Sequence, residues 1–379
     1  MDFDLSEEHL SLRQMVREFA EQEIAPGIDK LDATEEVPYD LIRKAARLGI
    51  SGLVVSKEYG GKGADMLSCV IALEELARCD ASIVSIIAGS TILGGSPLRL
   101  FGTEAQKLRW LVPLARGEIL GAIGVTEPEA GSDTAALTTR AVLENGEWVI
   151  NGAKEFISNS GTEMSAFVTI TAVTGETDGR KEISNIVVPR GTPGYTQADP
   201  YKKMGYHLMH SYPLVFADCR VPEENLLGVR GQGLRQALHV LSEGRVAVAA
   251  MALGIAQGSY DICFEYARKK TWAGQPLSRS QAIQFKLVDM ATEIELCRLM
   301  IYKAAVLQSQ GKPFSKEASM AKLYASELSV KAADVGVGIL GIDSQVRPIN
   351  RFFRNAKLQT LGEGTSEIQR LVLAKVLGC

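Results

Sequence analysis

Histidine is scarce in this chain of 379 residues. Of His9, His207, His210 and His239, only His207 and His210 lie close together, and no further ligand-type residues accompany them, which argues against a metal site. Cysteine offers no framework either. Cys69, Cys79, Cys219, Cys263, Cys297 and Cys379 are scattered without a CxxC pair and read as core or surface thiols of a reducing compartment. No uninterrupted apolar run reaches the length of about 18 residues that marks a membrane span. Basic runs are missing too, and a net charge of −4 argues against nucleic acid as the main partner. The acidic start, MDFDLSEEHL, resembles neither a signal nor a transit peptide, so a cytoplasmic protein is expected. Internal repeats and low-complexity segments are not found.

What is present is ordinary for a soluble globular protein: 46% apolar and 23% charged residues, with a length that suits two or three domains or one large one. The first third reads as helices. Ser6 is a plausible N-cap before Leu12, Met15, Val16 and Phe19, which recur at helical spacing, and Pro26 ends that helix. Further helical stretches cover 39–48, 66–78 and 83–101, the last strongly apolar and therefore buried or lining a pocket. The glycine cluster 59–63 lacks the spacing of a phosphate loop and reads as a tight turn. The character changes near Gly121. Asn145-Gly146 and Asn151-Gly152 are hairpin signals around the short run 147–150, and 167–172, 186–188 and 214–216 read as strands. The last third is helical again, with Leu287, Met290, Ile294, Cys297 and Ile301 forming a bundle-type seam. The expected fold class is α+β: an N-terminal helical domain (1–119), a small middle β domain (120–228) and a C-terminal four-helix bundle (229–379).

Chemistry concentrates in two places. In LGEGTSEIQR, 361–370, Glu363 sits between two glycines that free the backbone and allow close approach. From these residues alone, Glu363 is either a general base or a solvated carboxylate in a helix-entry turn capped by Thr365 or Ser366. In Gly124-Val125-Thr126-Glu127 and Gly131-Ser132-Asp133, small residues leave main-chain N–H groups and hydroxyls free to meet a polar ring and a pyrophosphate. In isolation that pattern reads as a turn opening a strand.

Together these segments resemble the acyl-CoA dehydrogenase family over nearly the whole chain, most closely its short-chain members from Leu241 onward. The resemblance implies FAD as cofactor, an acyl-CoA substrate, an electron-transfer flavoprotein as electron acceptor and a homotetramer. It implies Glu363 as the base that takes the α proton. Val125, Thr126, Gly131, Ser132, Phe156, Ser158, Thr365 and Glu367 would hold FAD, with Lys270 and Gln281 contributing across a subunit interface. Ser132, Ser242, Arg245, Gly362 and Gly364 would border the substrate. Some family members carry the base at the position of Gly244; Glu243 is one residue away, which turns its side chain by about 100° on a helix, so Glu363 is preferred. Departures from the family pattern are Gly362 for an aromatic residue, Lys270 for an arginine, Ala273 for a phenylalanine, Met209 for a serine and an altered Gly338–Ile342 segment. A carrier-protein thioester as substrate, enoyl-CoA reduction as the direction and a flavin-dependent monooxygenase are the alternatives compatible with the same fold.

Overall fold

The computed structural model describes residues 4–346 and 348–379, so the first residues of the acidic N-terminus lie outside it. Ser6 caps α1 (Glu7–Phe19) by accepting from the His9 N–H at 3.3 Å. Helical turns of π type continue α1 through Ala20–Ile24 before the chain turns around Pro26. Next come α2 (Ile28–Thr34) and α3 (Tyr39–Arg47). The predicted tight turn follows: a Cβ on Gly61 would lie 2.0 Å from the Val55 carbonyl oxygen, so only glycine fits. Asp65 and Asp80 cap α4 (Met66–Ala77) and α5 (Ala81–Ala88). The single helix expected over 83–101 is one helical run in three parts: α5, a π-type segment Gly89–Gly94, and α6 (Gly95–Phe101). Two short helices, α7 (Glu104–Gln106) and α8 (Val112–Ala115), lead to the sheet.

The sheet comprises β1 (Leu120–Gly124), β2 (Arg140–Glu144), β3 (Glu147–Ser158), β4 (Ser165–Thr177), β5 (Arg180–Pro189), β6 (Tyr195–Gln197), β7 (Ser211–Pro222) and β8 (Leu226–Leu227). Its order is β6-β7-β3-β2-β4-β5-β8, with β1 running parallel to β4. Asn145-Gly146, at φ of 51° and 83°, makes the expected two-residue turn between β2 and β3. Asn151-Gly152 does not. It lies inside the 12-residue β3, where the register against β7 shifts between Ile150 and Gly152. There β7 advances three residues against two of β3, so the extra residue belongs to β7. A Cβ on Gly152 would sit 2.5 Å from Thr139 Oγ1, so the glycine serves close approach to the segment ahead of β2 rather than a chain reversal.

The last third holds α9 (Gly233–Lys269), a hairpin of β9 (Thr271–Trp272) and β10 (Gln275–Pro276), α10 (Gln281–Ser309), α11 (Ser315–Leu340), α12 (Ile349–Gln359) and α13 (Ser366–Leu377). The seam residues of α10 are all buried. One apolar core extends from Val16 to Ala356, so the helices of the first and last thirds share it, with α9 packed against both α4 and α11. Two helical runs, Ala81–Phe101 and Gly233–Lys269, are long and apolar enough to cross a membrane, and most of each is buried within the fold.

Candidate active site

The loop between α12 and α13 is six residues long and sharply bent. Glu363 and Gly364 are consecutive left-handed residues, with φ of 56° and 87°. For glutamate that conformation costs about 1–2 kcal/mol, so the surroundings must impose it. They do so through carbonyls: Gln369 Nε2 donates to Glu363 O at 2.9 Å and to Gly364 O at 3.2 Å, and Lys322 Nζ donates to Gly364 O at 2.6 Å. Thr365 caps α13 by accepting from the Ile368 N–H. The turn aims the Glu363 carboxylate inward at α9. A Cβ on Gly244 would lie 2.6 Å from Glu363 Oε2 and 3.1 Å from Leu93 Cδ2. Glycine at 244 therefore makes room for the carboxylate.

Glu363 as a residue is partly exposed, but its Oε2 is buried and has no hydrogen-bond partner. Burial raises its pKa to about 7, against the pull of the Arg245 and Lys322 cations. Burial in turn lowers Lys322 to about 8. Arg245 is also held below its ordinary value by burial, and its Nε lacks a partner. Ser366 Oγ and Gln369 Oε1, on the same loop and helix, are buried without partners too. The unpaired Glu363 Oε2, with Arg245 acting on it and itself unpaired at Nε, marks a place built for a ligand rather than for stability. Glu243 faces elsewhere: its carboxylate accepts from Ser96 Oγ at 2.7 Å and from Arg99 Nη2 at 2.6 Å.

The second cluster lies where β1 leaves the sheet. Glu127 accepts from Lys154 Nζ at 2.7 Å, Thr138 N at 2.6 Å and Thr139 N at 3.0 Å, and Lys154 also reaches the Val125 carbonyl at 3.3 Å. Burial alone would raise the Glu127 pKa, but the Lys154 ammonium and the threonine donors outweigh it and hold the group down at about 2. This buried pair ties the Val125-Thr126-Glu127 loop to β3. Beyond it Thr126 is partly exposed, Gly131 and Ser132 are exposed, and a Cβ on Gly131 would meet nothing within 4 Å. Phe156 is 63% exposed, at φ 60°, and stacks on Tyr201 at 4.7 Å between ring centroids, so it is not the core aromatic that a strand position would suggest. Ser158 Oγ lies 3.0 Å from Ser211 Oγ.

The π-type segment Gly89–Gly94 joins the two clusters. On one side Leu93 touches the Gly244–Glu363 contact; on the other, a Cβ on Gly94 would lie 2.6 Å from the Gly121 carbonyl carbon, and Gly121 N donates to Ser90 Oγ at 3.1 Å. Asn159, at the end of β3, adds a second link by donating from Nδ2 to the Ile86 carbonyl at 2.9 Å.

Family models for the acyl-CoA dehydrogenase N-terminal, middle and C-terminal domains match residues 6–118, 122–219 and 231–378. This chain belongs to the acyl-CoA dehydrogenase family. It is 44% identical over 380 residues to a probable acyl-CoA dehydrogenase, YngJ, of Bacillus subtilis, with each chain covered completely. Among solved structures, butyryl-CoA dehydrogenase from Megasphaera elsdenii superposes with a TM-score of 0.96 at 37% identity, both chains fully covered. A chain from a structure of the electron transferring flavoprotein of Acidaminococcus fermentans gives a TM-score of 0.96 at 38% identity, covering 100% of this chain and 99% of that one. The protein is thus an oxidoreductase of the acyl-CoA dehydrogenase family, and its cofactor is FAD. The residues present suit that cofactor: an open glycine-serine loop at Gly131-Ser132, the partly exposed Thr126 beside it, and an exposed aromatic face at Phe156.

The remaining predicted residues of this acyl-CoA dehydrogenase fall into three groups. Gly362, Gly364 and Arg245 gather around Glu363; Ser242 lies one turn earlier on α9, with its hydroxyl bonded back to the Leu238 carbonyl at 3.0 Å. Glu367 and Ser366 border a cleft of about 500 Å³ shared with Lys331, Phe353 and Lys357. Lys270 and Gln281 are exposed at the far end of α9 and the start of α10, where Lys270 pairs with Asp343 at 3.2 Å. Lys322, Lys154 and Leu93 escaped the sequence reading. The one usable signal was lysine at position 154, where the alternation of β3 calls for an inward side chain.

Proposed function

We propose that the protein dehydrogenates a short, uncharged acyl-CoA thioester to the 2-enoyl-CoA. The observation that carries this reading is the Glu363 carboxylate: buried at Oε2, unpaired, facing Gly244, and with a pKa near working pH. In its ionised form Glu363 takes the pro-R α proton of the thioester. The Glu363 main-chain N–H, which makes no hydrogen bond among the described residues, polarises the thioester carbonyl. Bound FAD supplies the acceptor for the β hydride at flavin N5. Val125, Thr126, Gly131, Ser132, Phe156 and Ser158 hold FAD on the sheet side, and Thr365 and Glu367 on the helical side. Ser132, Ser242, Arg245, Gly362 and Gly364 border the thioester.

The acyl end meets α5. Val84 is fully buried, with Ile83, Ile86 and Ile87 beside it, and an unpaired carboxylate buried there would cost several kcal/mol. A neutral acyl group follows, in keeping with the butyryl-CoA dehydrogenase likeness. Electrons leave to an electron-transfer flavoprotein, in keeping with the Acidaminococcus likeness. A homotetramer is supported by the outer face of α10, the helix that Gln281 begins, where Phe285, Val288, Leu296 and Leu299 are exposed at helical spacing. The test is anaerobic bleaching of the bound flavin across a panel of acyl-CoAs. Bleaching by butyryl-CoA but not glutaryl-CoA is expected, and bleaching by butyryl-CoA should be lost in Glu363→Gln. Bleaching only by carrier-protein thioesters, or flavin reoxidation coupled to oxygenation of a product, would overturn the reading.

A further inference from the structure

Lys322 is fully buried on α11, and its ammonium makes a single described hydrogen bond, to the Gly364 carbonyl. An ammonium has three N–H donors, and burying one with so little compensation costs several kcal/mol. If the loop needed only a tether for that carbonyl, a neutral donor would serve, and Gln369 already supplies one. The charge therefore calls for an explanation of its own. We propose that Lys322 is a positioning residue for proton transfer: its Nζ pins the Gly364 carbonyl, holds Glu363 in the left-handed turn that aims its carboxylate at Gly244, and sets a positive charge beside that carboxylate. The proposal rests on Glu363 being the base.

The charged groups around the loop fit this division of labour. From α9, Arg245 faces Glu363, while Glu243 is occupied by Arg99 and Ser96. From α11, Lys322 faces Glu363, while Glu327 is paired with Arg370 of α13 at 2.7 Å. Glu367 of α13 and Glu327 add weaker attraction for Lys322, and Lys357 of α12 acts on Glu367. Two cations, Arg245 and Lys322, thus oppose the burial that would keep Glu363 protonated. Removing one leaves the carboxylate harder to ionise, so the ionised base appears only at higher pH.

The test uses the full FAD-loaded protein and its Lys322→Met and Lys322→Arg variants. Anaerobic flavin bleaching by butyryl-CoA is followed by stopped flow from about pH 6 to about pH 9. Protonation of Glu363 is read independently of turnover, from the infrared carboxyl stretch. Lys322→Met should bleach about 10²-fold more slowly, because the carboxylate is misaimed. Its rate and infrared midpoints should both rise by about one pH unit. Lys322→Arg keeps the charge and a donor, so its midpoint should stay with the parent's whatever its rate. A Lys322→Met protein with the parent's rate and midpoints would overturn the proposal, and so would a slower one with unmoved midpoints, since that is a merely structural role. If the methionine variant does not fold, the arginine variant decides: a midpoint displaced by about one unit refutes the proposal. Failure of the underlying reading looks different, because Glu363→Gln would then bleach as fast as the parent.

Discussion

Replacing Glu363 by glutamine should inactivate the protein and also make it harder to melt, by an amount that depends on pH. The folded-state pKa of Glu363 is raised from 4.5 to about 7. Below about pH 4.5 the carboxyl is protonated in both the folded and the unfolded chain and costs nothing extra. Between the two values the folded protein holds a proton that the unfolded chain releases, so stability falls as pH rises; above about 7 the whole penalty is present. A shift of this size corresponds to at most about 3 kcal/mol at pH 8 and to under about 1 kcal/mol at pH 5. Glutamine has the same shape and no charge to desolvate, so the variant recovers that amount. The unfolding entropy of a chain this long is about 0.8 kcal/mol per kelvin, so the recovery raises Tm by about 4 °C at pH 8 and about 1 °C at pH 5. The assay is a thermal melt of parent and variant, both carrying FAD, at the two pH values, alongside the α-proton exchange rate, which should fall by about 10² to 10⁴-fold. A variant stabilised equally at both pH values, or destabilised at pH 8, would refute the claim that burial stores free energy in this carboxylate.

Three further outcomes are expected. Glu243→Gln leaves Arg99 without its carboxylate and should cost about 3 kcal/mol, seen as a lower Tm, while the bleaching rate per bound flavin stays within about twofold of the parent; loss of bleaching with Tm unchanged would contradict the structural role of Glu243. Lys154→Met strands the buried Glu127 and should cost about 3–5 kcal/mol together with FAD retention on gel filtration, whereas the Glu127→Gln, Lys154→Met double variant should recover part of the Tm; a double variant worse than the sum of the singles would show that the pair is not the tie. Gly362→Tyr has room, since the nearest atom to a Cβ there is the Leu358 carbonyl oxygen at 3.8 Å; steady-state rates should fall for branched or aromatic acyl-CoAs and hold for butyryl-CoA, and an equal fall for both would mean that only the loop had stiffened.

Much of this molecule can be read locally. Ser6 as a helix cap, the Asn145-Gly146 turn, the α10 seam and Glu363 on a glycine-flanked loop all follow from spacing and residue type, because capping, turn conformation and amphipathic burial are settled by neighbours a few positions away. Asn151-Gly152 shows the limit: the same dipeptide runs on inside a strand beside a register shift of β7, and its glycine is required because Thr139 leaves no room for a Cβ, facts about distant segments. The same holds for the chemistry. That Gly244 faces Glu363, that Lys322 reaches the base loop across 42 positions of sequence, and that Lys154 closes on Glu127 are contacts between distant segments. Glutamate identity is set by the sequence, but a pKa near 7 is not. It arises from water excluded by α9, α11 and the loop itself, and desolvation exists only once those elements have packed.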